Sequence, residues 1–257
     1  MNNIFGGNVL GRKVWKKVIT SILLLVFSAV FSFYFANKSV FLISEKKVPI
    51  YSVDTDKKKA SITFDVNWGD DNTESILDTL DEYGIKATFF LIGNWIDDYP
   101  DQAKEIYKRG HEIGNHSNSH PDMSKIPSEK IKKDINIADG KIFNLVGSNS
   151  KLFRFPSGGY NDNAVKIIEE MGYHCIQWDV DSIDWKEEGE EKEYDRVMKK
   201  TKPGSIILFH SDSKHTPKTL PRIIKDLKDK GYEFVKVGEL IYKENYNIDA
   251  TGRQIKK

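Results

Sequence analysis

The sequence predicts an α/β fold: a parallel sheet with crossover helices, closed as a barrel or open, behind one N-terminal transmembrane helix. Three observations predict it. Short apolar runs alternate with segments of helical spacing in about seven units between residues 59 and 242. Residues 18–36 carry no charge and are long enough to cross a bilayer. Ionisable side chains recur at or just beyond the ends of the apolar runs, the end at which parallel α/β folds build their sites.

The N-terminal element reads first. "GRKVWKK" precedes "VITSILLLVFSAVFSFYFA". At about 1.5 Å per residue this helix measures about 28 Å, close to a hydrocarbon core of about 30 Å. The basic flank, Arg12, Lys13, Lys16 and Lys17, predicts a cytoplasmic N-terminus (residues 1–17). A signal-anchor is the expected reading, because the apolar stretch is long and ends in bulky residues. A cleaved signal peptide is the alternative, and would make the protein secreted. Both put the remainder outside the cytoplasm. Residues 37–58 read as a linker with a strand of its own near 48–53.

The remaining elements follow in order. "ASITFDV" (60–66) is a buried-strand pattern and 72–84 a helix ending at Gly84. Strand 86–93 leads to helix 99–110, closed by Gly110, and strand 111–117 runs into a polar loop. Helix 127–147 has Ser128 as its expected N-cap. Strands 152–158, 173–182 and 204–210 each precede a helix, at 161–172, 190–201 and 216–231. Residues 232–240 close the domain, 59–242, and 243–257 read as a loosely held polar tail.

Composition excludes some functions. The 257 residues suffice for a sizeable core, and a net charge of +1 gives no basic field, so no nucleic acid partner is expected. Aromatics make up 12%, with five tryptophans, common where sugars stack. The single cysteine, Cys175, cannot form an internal disulfide and reads as a buried apolar residue.

The candidate chemistry lies at the strand ends. In "GNHSNSH" (114–120) His116 and His120 stand four apart among small polar residues, followed by Pro121. From a loop, both rings can turn toward one point and, with nearby carboxylates, form a nitrogen/oxygen site for Zn²⁺ or a similar ion. Asp65 ends an apolar strand, and Asp70 and Asp71 follow within a few residues of the same rim. His210 ends "ILFH", placed to exchange protons. Asp181 and Asp184 stand at another strand end. His111 and His174 read as structural and His215 as solvated.

In order along residues 60–242, "TFD" (63–65), "HSNSH" (116–120), "RFPSG" (154–158), "DSIDW" (181–185) and "LFH" (208–210) resemble the five motifs of the polysaccharide deacetylases with a NodB-homology domain, carbohydrate esterase family 4. "TFDVNWG", "GHEIGNHSNSHP" and "PGSIILFH" look most like its membrane-anchored, PdaB-related sporulation and clostridial branch. The resemblance implies a distorted (β/α) barrel and metal-dependent removal of acetyl groups from N-acetylated sugars. It implies His116 and His120 as metal ligands, Asp65 as base, His210 as acid, Asp184 holding His210, and Arg154 orienting Asp65 through a forked ion pair. The oxyanion donor would be a backbone N–H near Ser157, and Trp185, Trp68 and Leu208 would wall the acetyl pocket.

One position departs from the pattern. Where the family carries a second, metal-binding aspartate, this chain has Val66. Asp71, or Asp70, would then be the third ligand; water would take the place otherwise, or catalysis would be lost. The expected function is hydrolysis of N-acetyl groups from an extracytoplasmic polysaccharide, peptidoglycan first, with a divalent ion, Zn²⁺ or else Co²⁺. The alternatives are a polysaccharide O-acetyl esterase and a non-catalytic module for cell-wall binding or sporulation.

Overall fold

The computed structural model describes residues 8–40, 46–69 and 72–257. The chain divides into two compact units, Met1–Lys46 and Lys47–Lys257.

The first unit is one helix, α1 (Asn8–Val40), whose apolar stretch Val14–Tyr34 spans 21 residues at a mean hydropathy of 1.9. Every side chain described along it is exposed, Leu23, Leu24, Leu25 and Phe27 among them. A helix apolar all round needs either a core or a bilayer around it. Thr20 and Ser28 turn their hydroxyls back onto the carbonyls of Lys16 and Leu25 at 2.8 and 2.9 Å, satisfying them within the helix.

The second unit begins with β1 (Ser52–Val53) and β2 (Lys59–Val66), then α2 (Thr73–Glu82), β3 (Thr88–Leu91), α3 (Gly93–Asp98), α4 (Pro100–Lys108) and β4 (Glu112–Asn115). It continues with α5 (Ser128–Val146), β5 (Leu152–Arg154), α6 (Asp162–Glu170), β6 (His174–Ile176) and β7 (Val180–Asp181). α7 (Glu190–Lys200), β8 (Ile206–His210), α8 (Thr216–Asp229), β9 (Glu233–Phe234), α9 (Val237–Leu240), β10 (Tyr246–Ile248) and β11 (Arg253–Lys256) complete it.

The main sheet runs β6-β5-β4-β3-β2-β8-β7, every pairing parallel, with β9 also parallel to the start of β2. β6 and β7 end the order, so the sheet curls into a half-barrel, the distorted (β/α) barrel expected. β2 is central and buried on both faces, as a parallel strand covered by helices must be. Its Phe64 stacks on Phe89 and Phe209 at centroid distances of 4.8 and 5.8 Å, joining three strands under the helices. On the inner face Gly114 is required: a Cβ there would sit 2.3 Å from the Phe90 ring. Phe90 in turn supports the Arg154 guanidinium at 4.0 Å.

Four local expectations need correction. Residues 173–182 form two short strands, β6 and β7, because the Asp179 carboxylate accepts the Ile206 N–H at 2.9 Å and draws the chain out of line. The strand expected at 152–158 stops at Arg154, and Pro156–Gly158 is a 3₁₀ turn. Ser128 is the first helical residue of α5 rather than its cap; Pro127 holds the cap position. The tail is not loose: β10 pairs antiparallel with β11, which pairs parallel with β1, in a separate three-stranded sheet.

Candidate active site

The C-terminal ends of the central strands converge. β2 ends in Asp65 and Val66, and Asp65 lies in register with Phe90 on β3 and His210 on β8. Adjacent strands in register place both side chains on one face. His116 follows β4, Arg154 ends β5, and Asp184 opens a 3₁₀ turn, Asp184–Lys186, after β7. A cavity of about 380 Å³ opens over them, lined by Asp65, His120, Ser157, Trp185, Leu208 and His210, and also by Asn67, Trp178 and Asp181.

The histidine loop is built by its small polar residues. Asn115 Oδ1 accepts from the Ser117 N–H at 2.8 Å, and Ser117 Oγ accepts from the His120 N–H at 2.9 Å. Asp134 of α5 accepts from the Asn118 N–H and the Ser119 hydroxyl at 2.7 and 2.5 Å. Ser117 and His120 adopt left-handed φ values of 70° and 57°, as do Ser157 and Ile183 at 51° and 57°. Such backbone is costly for residues with a side chain and clusters where geometry serves a site. The His116 and His120 rings meet edge to face at 5.1 Å, and Trp68 packs its edge against His120 at 6.0 Å.

His116 is wholly buried, and its Nδ1 lies 2.9 Å from the Arg154 carbonyl oxygen. A carbonyl only accepts, so Nδ1 carries the proton and Nε2 a lone pair. That Nε2 has no hydrogen-bond partner among the described residues and faces Asp65 Oδ2 at 3.5 Å. Burial pushes the His116 pKa down to about 4, so the imidazole is neutral and the approach is not an ion pair. Burial likewise lowers His120. For Asp65, burial acts upward, but the positive charges of the Arg154 guanidinium and of His210 outweigh it and hold the carboxyl below its usual range. A lone pair and a carboxylate face each other with no proton between them. Two imidazoles and an adjacent carboxylate are donor types a divalent cation takes, but no group of three His, Cys, Asp or Glu side chains among the described residues is placed to hold one.

The other side of the cavity is closed. Asp184, 2% exposed, accepts from His210 Nδ1 at 2.8 Å, the His210 N–H at 2.7 Å, the Trp185 N–H at 2.8 Å and the Thr216 hydroxyl at 3.1 Å. Burial alone would lower the His210 pKa; the hydrogen bond and charge of Asp184, with Asp65 beyond, raise it to about 9. His210 is therefore an imidazolium at neutral pH. Thr216 and Thr219 also bond Glu193, 3% exposed, whose burial raises its pKa to about 7. A larger cavity of about 650 Å³ lies behind, lined by Asp184, Glu193 and His215.

Most sequence-predicted residues meet here. Asp65, Arg154, Asp184, His116, His120, His210, Ser157, Trp185 and Leu208 all do so. Arg154 bonds Asp65 through one nitrogen, Nη1 to Oδ1 at 2.8 Å, rather than by a fork, because Nη2 turns to the Gln177 carbonyl at 3.3 Å. Trp68 stands 62% exposed beside His120, outside the cavity wall, where the unforeseen Trp178 lies. Asp71 and Asp70, the expected third ligands, lie outside the described residues. Val66 is wholly buried in the apolar layer with Phe64, Phe89 and Leu91. Asn67, Glu193 and Thr216 were not singled out from sequence; strand alternation carried two residues past Asp65 would have pointed to Asn67, and nothing local marked the other two. His215 is half-buried rather than solvated, its Nδ1 4.0 Å from Glu190. Cys175 is buried, and His111 is a core histidine whose Nδ1 accepts the Ala87 N–H at 3.1 Å.

An ionised carboxylate and a charged histidine across two parallel strands, beside two imidazoles, are the acid–base groups of a hydrolase site. Residues 52–176 match the family model described as polysaccharide deacetylase. The chain is 38% identical over 197 residues to a peptidoglycan-N-acetylglucosamine deacetylase of Bacillus cereus, covering 74% of this chain and 92% of that one. It is 30% identical over 219 residues to the peptidoglycan-N-acetylmuramic acid deacetylase PdaA of Bacillus subtilis, covering 84% and 83%. Among solved structures it superposes with a TM-score of 0.73, at 35% identity over 75% of this chain and 68% of the other, on a CE4 family pseudoenzyme from Bacillus anthracis. A mutant of that pseudoenzyme with restored enzymatic activity superposes equally well, at 0.73. The chain belongs to the polysaccharide deacetylase family, carbohydrate esterase family 4.

Proposed function

We propose that this protein is a membrane-anchored, metal-dependent deacetylase that removes N-acetyl groups from peptidoglycan outside the cytoplasm. The observation that carries the reading is the opposition of Asp65 and His210, base and acid in register on adjacent strands, beside the unpaired His116 Nε2. The peptidoglycan deacetylases among its relatives support the substrate. The apolar helix Val14–Tyr34 and its basic flank support the anchor.

His116 and His120 would hold the cation, which supplies Lewis-acid polarisation of the acetyl carbonyl and makes water a stronger acid near neutral pH. Asp65, kept ionised by Arg154, takes the proton from the attacking water. The Gly158 and Gly159 N–H groups already bond the Phe155 and Pro156 carbonyls, each at 3.0 Å, so the oxyanion donor of that turn is assigned to the Ser157 N–H. His210 protonates the departing amine, a poor leaving group otherwise, and Asp184 keeps it charged and aimed. Trp185, Trp178 and Leu208 wall the acetyl-binding end.

Val66 in the family's ligand position, with a pseudoenzyme among the structural relatives, favours one second reading: a cell-wall binding module without catalysis. Acetate release from defined peptidoglycan fragments, with and without added Zn²⁺ or Co²⁺, separates the two. The deacetylase reading expects metal-dependent acetate, lost in His116→Ala. Binding to the fragments with no acetate at any metal concentration would establish the module.

A further inference from the structure

We infer that Asn67 supplies the third protein ligand of the cation site, through its side-chain amide oxygen, in place of the carboxylate that Val66 displaces. The inference rests on the metal reading above.

The geometry of β2 carries it. Along the strand Phe64 and Val66 turn into the apolar layer beneath the helices, both wholly buried. Asp65 and Asn67 turn the other way and line the cavity with His120 and His210. A ligand drawn from this segment beyond the base must therefore come two residues on, just past the strand, and not one. The segment after it is fixed, because the Gly69 carbonyl accepts the Trp95 indole N–H of α3 at 2.7 Å.

The chemistry of the atom agrees. Asn67 Oδ1 is buried with no hydrogen-bond partner among the described residues, and so is His116 Nε2. A buried acceptor left unpaired is destabilising. His116 Nε2 faces Asp65 Oδ2 at 3.5 Å, and Asn67 lines the same cavity as Asp65, so one cation held there would answer both acceptors. An amide oxygen is an uncharged, hard donor compatible with a divalent ion. Two imidazoles and an amide leave the ligand set neutral apart from Asp65. Such a set holds a cation less tightly than one with a second carboxylate.

The test measures affinity on the full-length chain in non-ionic detergent, by competing a chromophoric chelator for Zn²⁺ and by reading the visible absorption of the Co²⁺ form. The parent binds one ion and His116→Ala abolishes it. Asn67→Ala weakens Zn²⁺ at least tenfold and alters the Co²⁺ spectrum, while metal-free protein melts no lower than the parent, since an unpaired acceptor has been removed. Asn67→Asp, of the same shape, strengthens Zn²⁺ at least tenfold. Both Asn67 variants within twofold of the parent, with His116→Ala still abolishing binding, would overturn Asn67 and leave the metal reading standing. The same holds if Asp71→Asn, and not Asn67→Ala, removes the affinity. No His116-dependent binding in the parent would remove both readings together.

Discussion

The two sides of the cavity differ in how complete they are. On the acid side, Asp184 receives four hydrogen bonds, from His210 twice, Trp185 and Thr216, and needs nothing further to stay in place. On the histidine side, His116 Nε2 and Asn67 Oδ1 are buried without partners, and Asp65 faces the former at 3.5 Å. One side is satisfied by the protein alone; the other leaves two buried acceptors without partners among the described residues. Proton-transfer groups can be preset by folding, whereas cation ligands carry an electrostatic cost until the ion arrives. The difference predicts that acid-side substitutions change pH dependence and histidine-side substitutions change metal content.

The largest effect tests the histidine side. His116→Ala should reduce acetate release by about 10³-fold or more and abolish Zn²⁺ uptake, with the fold intact by circular dichroism. The next tests the acid side. A His pKa raised to about 9 means the charged form is present below that value and lost as pH rises through it. Asp184→Asn removes the main cause of that rise, so the alkaline limb of kcat/KM should move down by roughly two units and the rate at pH 8 fall about tenfold through lost protonation alone. Metal content should be unchanged, which separates this variant from the first. If Asp184→Asn also lost the metal, the two sides would not be independent.

Two smaller effects sharpen the contrast by stability. Val66→Asp inserts a carboxylate into the layer of Phe64, Phe89 and Leu91, and should cost about 3 kcal/mol or more, read as a drop in melting temperature. Glu193, behind the acid side, has a folded pKa of about 7 against 4.5 for an ordinary glutamate. The folded state therefore holds the proton more tightly, and stability is lost as pH rises from 4.5 through 7. Glu193→Gln should melt higher than the parent at pH 8, by about 1–3 kcal/mol, and match it near pH 4.

Much of this was legible in the sequence. The apolar runs around Phe64, Phe89 and Phe209 are the strands that pack on one another, and Asp65, His116, Arg154, Asp184 and His210 stand at their ends. What escaped depends on long-range partners. The continuous apolar pattern of 173–182 hides a break made by Asp179 reaching Ile206, 27 residues away. Strand β11 of the tail pairs with β1, about 200 residues earlier in the chain, a distance over which no local pattern speaks. Glu193 and Thr216 come together between two helices, and neither helix reveals the other. Asn67, two residues past Asp65, was not singled out, because Asp70 and Asp71 stand close by and a carboxylate is the stronger cation ligand.

The claim on which the rest depends is that one cation sits between the loop imidazoles and the end of β2. An anomalous difference map at the zinc edge, from crystals of the protein grown with Zn²⁺, tests it directly. The expected result is a single peak within bonding distance of His116 Nε2 and His120, beside Asp65 and Asn67. A peak elsewhere, or none at a Zn²⁺ concentration that occupies related sites, would contradict it.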